Sequence, residues 1–155
     1  MRHELQILLI EDNPADVRLV QEALSESRFR HTIHIAEDGV AGLQFLRKQG
    51  RFGDSVTPDI ILLDLNLPKK DGREVLLELK NDPELRMIPI IVLTTSDNEQ
   101  DVLNAYGLHA NCYLTKPLEI DSMFRMMHSL EEFWLKLVRL PQMGSSEGLR
   151  FAPPR

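Results

Sequence analysis

The sequence predicts an α/β fold, a doubly wound, five-stranded parallel sheet with helices on both faces. Three observations carry that expectation. Five short apolar runs, over 5–10, 32–36, 59–65, 88–95 and 112–115, recur along the chain, and each is followed by a segment of helical spacing or a turn-rich connection. Several runs are nearly continuous in Ile, Val and Leu, as in strands covered on both faces. Charged or hydroxyl residues close four of the five runs, at the end where open α/β sheets carry their ligand crevice. Strands alternating with helices fold through right-handed crossovers, which makes the sheet parallel.

The elements follow in order. After the first run, Asn13 caps a helix with Pro14 at its first position, running through Val17, Val20 and Leu24. The second run precedes Val40, Leu43 and Leu46 at helical spacing, stopped near Gly50. A turn-rich connection over 50–58 (GRFGDSVTP) leads to the third run on the face away from the crevice. A third helix carries Val75, Leu76 and Leu79 and ends before Pro83. The fourth begins near Asp97 and ends at Gly107, read as a C′ glycine. The last runs from about Glu119 to Leu140, stopped by Pro141. One domain over 5–140 is expected, followed by a tail over 141–155 (PQMGSSEGLRFAPPR) that reads as disordered.

Bulk properties narrow the function classes. The 155 residues suit one domain with a sizeable core, and 43% hydrophobic with 27% charged residues is a globular balance. A net charge of −6 disfavours DNA or RNA as partner, since a binder needs a basic stripe to displace counterions. Arg47-Lys48 and Lys69-Lys70 are too short to reverse this. The single cysteine, Cys112, excludes an internal disulfide framework and fits a reducing cytosol. The apolar stretch over 7–10 is too short for a signal peptide and runs into Glu11-Asp12, and no run approaches a membrane span. A cytoplasmic protein without a membrane partner is expected.

The chemistry gathers at the carboxyl ends of the runs: Glu11-Asp12, Asp64, Thr94-Thr95-Ser96 and Lys116-Pro117. A charge closing a buried strand is costly unless it faces partners. Three carboxylates in one crevice repel one another, and a divalent cation is the natural compensation. Carboxylates plus a backbone carbonyl from the loop after Asp64 suit a hard ion such as Mg2+. A lysine and a hydroxyl beside it would hold phosphoryl oxygens, and an aspartate can itself become the phosphorylated nucleophile. Taken singly, each piece has an ordinary explanation. An acidic pair after a strand serves as turn and helix cap, Lys-Pro as a solvated turn, Thr-Thr as strand propensity. Their coincidence at equivalent strand ends favours a site.

With these residues together, the chain resembles the receiver domain of two-component response regulators, a flavodoxin-like (βα)5 fold, over about 5–137. The resemblance implies that Asp64, in LLDLNLPKKDG, is the phosphoacceptor, with Asp12 and Asp64 binding Mg2+ directly. It further implies that Asn66 adds its backbone carbonyl and Glu11 acts through metal-bound water. Glu11 stands where the family more often has Asp. Thr94 matches the switch hydroxyl, Tyr113 the switch aromatic and Lys116 the phosphate-binding lysine, with Lys116-Pro117 expected to be a cis bond. The stretch 108–116 (LHANCYLTK), the residues 131–135 (EEFWL) and the long connection over 50–58 are similar to single-domain regulators serving cyanobacterial phytochrome histidine kinases. A sensor histidine kinase of that type is the implied partner. The implied activity is a signalling switch catalysing only its own phosphorylation and dephosphorylation.

Three other readings remain. A haloacid-dehalogenase-like phosphatase also uses an aspartate nucleophile and Mg2+, but places it after the first strand with a second Asp two residues on; here Asn66 stands two beyond Asp64. A nucleotide-binding flavodoxin-like domain needs a Gly-rich loop that the first strand lacks. A constitutive scaffold would not need the complete set of site residues.

The last helix adds one more expectation. Ile120, Met123, Phe124, Met127, Leu130, Trp134 and Leu137 form one stripe at helical spacing, while Met126, Phe133, Leu135 and Leu140 lie off it. A surplus apolar face favours a homodimer through the surface of the fourth helix, fifth strand and fifth helix.

Overall fold

The computed structural model describes residues 4–26, 30–95, 98–117 and 119–133. Five parallel strands form one sheet in the order β2-β1-β3-β4-β5: β1 (Leu5–Ile10), β2 (His31–Ala36), β3 (Ile60–Leu63), β4 (Ile90–Thr94) and β5 (Cys112–Thr115). Five α-helices connect or follow them: α1 (Pro14–Ser25), α2 (Gly39–Arg47), α3 (Gly72–Asn81), α4 (Glu99–Gly107) and α5 (Ile120–Leu130). This is the doubly wound architecture the alternation predicts. No helix among the described residues is long and apolar enough to cross a membrane.

The strand pleat divides the core in two. Leu8, Ile10, Ile61, Leu63, Ile90 and Val92 point to one face, where Leu43, Leu46, Val75, Leu76, Leu79 and Ala105 cover them. Ile7, Leu9, Ile60, Leu62, Ile91 and Leu93 point to the other, against Val20 and Leu24 of α1 and Met123, Met127 and Leu130 of α5. Successive residues on opposite faces are what period 2 demands, and burial on both faces explains the unbroken apolar runs.

The helix starts match the expected chemistry. Asn13 Oδ1 accepts from the N–H groups of Ala15 and Asp16, with Pro14 in the first turn, and Asp38, Asp71 and Asn98 cap α2, α3 and α4 in the same way. Asp97, near which α4 was expected to begin, lies outside the described residues.

Some boundaries and local conformations differ from expectation. The third strand is shorter than 59–65 in regular pairing, although Asp59 N–H donates to Gln6 at 2.7 Å and Asp64 N–H to Ile10 at 3.1 Å, extending the ladder at both ends. The fourth begins at Ile90 rather than at residue 88. Leu85, Arg86 and Ile88 close local turns, and Pro89 has no N–H to give the sheet. Gly107 is not the left-handed residue ending α4; His109 is, at φ 68°. The N–H groups of His109 and Ala110 close the helix onto Tyr106 and Ala105, so the reversal falls two residues later. There are no cis peptide bonds among the described residues, so Lys116-Pro117 is trans, the lower-energy isomer even before proline.

On α5, Met123, Met127 and Leu130 are buried as expected, but Ile120 is 62% exposed, because it opens the helix ahead of the sheet contact. Met126, expected off the stripe, packs partly on the α1–α5 side of the core. Phe133, one turn beyond α5, is 55% exposed. The expected continuation through Trp134, Leu135, Leu137 and Leu140, and the tail over 141–155, lie outside the described residues.

Candidate functional site

The parallel register brings the carboxyl ends of β1, β3, β4 and β5 to one edge. Ile10 pairs with Leu63, Leu63 with Val92, and Thr94 with Thr115, so the next residues of β1, β3 and β5 emerge side by side. Glu11 N–H donates to Ala36, and Lys116 N–H to Thr94 at 2.7 Å, holding both just past their strands. Glu11, Asp64, Thr94 and Lys116 are all buried, whereas Asp12 is exposed at the pocket mouth.

Lys116 is the hub. Its Nζ donates to Glu11 Oε1, to Asp16 Oδ2 at 2.9 Å and to Asp64 Oδ2 at 3.3 Å. Glu11, Asp12 and Asp64 each offer a carboxylate oxygen, and these oxygens all lie within 4.8 Å of one another. Three carboxylates thus bond one ammonium, with that of Asp12 beside two of them. Burial, with the Asp64 charge adding to it, pushes the Glu11 carboxyl up to about 7 although Lys116 pulls the other way. Burial alone would lower the Lys116 ammonium, but the bonds to Glu11 and Asp16 and the Asp64 charge outweigh it and hold it above its ordinary value. The surplus of negative over positive charge in the pocket adds to both shifts through Asp64. All-oxygen donors at this spacing fit a hard divalent cation.

The loop after Asp64 is tightly folded. Asn66 N–H donates to Asp64 Oδ1 at 3.1 Å, and the Asn66 side-chain amide reaches Thr94 Oγ1 at 3.4 Å. Gly72 N–H closes the loop onto Leu65 at 2.9 Å. A Cβ on Gly72 would run into the backbone of Asp64 and Leu65, so only glycine allows this closure. Lys69 takes a left-handed conformation at φ 64° and pairs with Asp38 at 3.5 Å across the same rim.

The structure brings together Glu11, Asp12, Asp64, Asn66, Thr94 and Lys116. Tyr113 stands apart, half-buried on edge strand β5, its ring packed against the α2–α3–α4 side of the core. Its N–H donates to the hydroxyl of Tyr106 on α4 at 3.2 Å. Sequence reasoning missed two residues. One is Tyr106. The other is Asp16, five positions after Glu11 in the first turn of an Asn13-capped helix, a placement that aims it at the same sheet edge.

A parallel sheet of order β2-β1-β3-β4-β5 with acids after β1 and β3 and a lysine after β5 is the receiver arrangement, and the model of the response regulator receiver domain matches residues 7–128. The chain belongs to that family. It is 55% identical over 135 residues to the response regulator Rcp1 of Synechocystis sp., covering 87% of this chain and 92% of that one. The crystal structure of the Mn2+-bound form of Rcp1 superposes with a TM-score of 0.86 at 54% identity, covering 88% of this chain and 99% of that one. The phosphorylated cyanobacterial phytochrome response regulator RcpA does so at 0.87 and 49% identity, covering 90% and 99%.

Proposed function

We propose that this chain is a phosphorylation-switched signalling module in which Asp64 accepts a phosphoryl group from the phosphohistidine of a sensor kinase. The observation carrying the reading is the buried Asp64 carboxylate at the end of β3, sharing one pocket with Glu11, Asp12 and the Lys116 ammonium. One Asp64 oxygen forms the new bond to phosphorus. The phosphorus–nitrogen bond of the donor breaks, and its electron pair stays with the imidazole. Lys116 then donates to a phosphoryl oxygen, and the Thr94 hydroxyl to another. Asp12, Asp64, the Asn66 backbone carbonyl and Glu11 are the residues that would hold Mg2+, whose charge would offset that of the phosphoryl oxygens. Hydrolysis later returns the carboxylate and releases inorganic phosphate. On this reading the chain acts on no other substrate.

The phosphoryl group brings about two negative charges and three acceptor oxygens. Thr94 moves toward it, and Tyr113 fills the space vacated, changing the surface of α4, β5 and α5. Leu103 and Tyr106 of α4 are exposed on that side of the molecule, and a homodimer through this face completes the reading. A monomer in sedimentation at micromolar concentration, with and without a phosphoryl mimic, would remove the dimer. RcpA is described as a phytochrome response regulator, and we carry that kinase class, with a cytoplasmic setting, to this chain. The net charge of −6 favours a protein rather than DNA as the listener.

Incubation with Mg2+ and a small phosphodonor tests the central step. The expected product is an acid-stable, base-labile adduct of about 80 Da, one phosphoryl group, on wild type and not on Asp64→Asn. Steady phosphate release from many monoesters would instead mark a phosphatase.

A further inference from the structure

Resting on the phosphoacceptor reading, we propose that Asp16 is a positioning residue for Lys116, the second anchor that keeps the ammonium aimed at the phosphoryl site. An ammonium has three N–H donors. In this pocket all three have acceptors: Glu11, Asp16 at 2.9 Å and Asp64 at 3.3 Å. None is spare for an incoming group. The longest bond, to Asp64, is the one to be exchanged when phosphorylation turns that carboxylate into a mixed anhydride. Glu11 and Asp16 then remain as the two fixed points, so Nζ swings from one acceptor to the next without leaving the pocket.

Asp16 is built for that task. Its backbone sits in the first turn of α1, where Asn13 Oδ1 accepts from its N–H at 3.4 Å and from Ala15 N–H at 2.9 Å. A carboxylate on a capped helical turn has little freedom to drift. The side chain is 21% exposed while that of Lys116 is 4% exposed, so Asp16 reaches inward from the rim to a buried partner. An acid in a helix's first turn is also favoured by the positive end of the helix dipole. That preference is satisfied by any orientation, whereas the Oδ2 of Asp16 is directed at Nζ. Glu11, the other anchor, uses its second oxygen to accept from Asn13 N–H at 3.2 Å. Both anchors are thereby tied to the same helix cap.

The test uses the full chain with Asp16→Ala and Asp16→Asn, the second keeping an acceptor for Nζ without the charge. In metal-free protein, nitrogen-15 NMR reads the Lys116 ammonium directly, since its protons stay visible only while held by acceptors. The signal should persist in wild type and Asp16→Asn and lose most of its intensity in Asp16→Ala, where one of the three protons is released to exchange with water. With Mg2+ and a small phosphodonor, Asp16→Ala should lower the maximal rate of phosphoryl uptake about tenfold, as expected for a lost charge-assisted hydrogen bond. The donor concentration at half saturation should stay unchanged, and Asp16→Asn should remain within about threefold of wild type. Persistence of the signal with unchanged uptake in Asp16→Ala would overturn the proposal. So would equal losses in both variants, which would make Asp16 a bulk charge. Failure of wild type itself to take up the group would sink the phosphoacceptor reading, while the ammonium signal still decides the Asp16 contact.

Discussion

Arg73 of α3 grips Asp101 of α4 with two parallel hydrogen bonds, Nε to Oδ1 at 3.1 Å and Nη2 to Oδ2 at 2.8 Å. Its remaining nitrogen, Nη1, holds both oxygens of Asp71 at 3.1 Å, and Asp71 is the cap that ends the loop begun at Asp64. The guanidinium thus couples the phosphoacceptor loop to the first turn of α4, a helix with one buried residue, Ala105, and the exposed Leu103 and Tyr106.

Arg73→Ala should therefore loosen α4 more than the rest of the fold. The pair is partly exposed, so the loss of global stability should be only about 1 kcal/mol. Amide hydrogen exchange over 99–107 should quicken by a larger factor than exchange in β1 or β3. Uniform quickening would contradict the coupling.

Lys116→Ala should raise Mg2+ affinity. It removes an ammonium that competes with a cation for Glu11, Asp16 and Asp64. At these distances the gain should be at least about tenfold. Calorimetric titration measures it. The same variant should still take up phosphoryl groups while failing to pass the signal to the α4–β5–α5 face, and normal signalling would refute the role given to the lysine.

The raised Glu11 carboxyl predicts a pH dependence with a definite sign. In metal-free protein its folded value is about 7 against an ordinary 4.5. The folded state therefore binds that proton more tightly. The resulting stabilisation is full below about 4.5 and is lost as pH rises through about 7. A cation favours the ionised form, so Mg2+ binding near neutral pH should release a proton, and apparent affinity should fall as pH drops below about 7. Titrations in buffers of different ionisation enthalpy count the proton, and Glu11→Gln should abolish its release.

Gly72→Ala should cost about 3 kcal/mol, because its Cβ meets the Asp64 carbonyl and the Leu65 backbone rather than flexible side chains. The midpoint of urea unfolding reports the loss. Mg2+ should restore less stability to this variant than to wild type, since the displaced loop carries Asp64.

Much of this was legible because it depends on local pattern. The strands follow from unbroken apolar runs, and the α1 start follows from Asn13-Pro14. Glu11, Asp64, Thr94 and Lys116 were found because each closes a run that the fold must align. What escaped depends on where side chains reach. Asp16 reads as one more acid in a first turn, and its contact with Lys116 spans 100 positions of sequence. Gly107 reads as the reversal, yet the backbone bonds of α4 put the turn at His109, whose preference for left-handed backbone is weaker than that of glycine. The exposed Ile120 fits the α5 stripe by spacing alone; its position at the helix start removes it from the sheet.

Glu11 and Lys116 lie 105 positions apart, so the site joins the first strand of the fold to the last. During synthesis, a chain that has emerged only through β4 already carries Asp64, Asp12 and Glu11 but no ammonium to balance them. Such a fragment pays the repulsion among its acids without the ion pair that answers it. The ion pair that offsets the crowded acids without a cation is therefore complete only once β5 has joined the sheet.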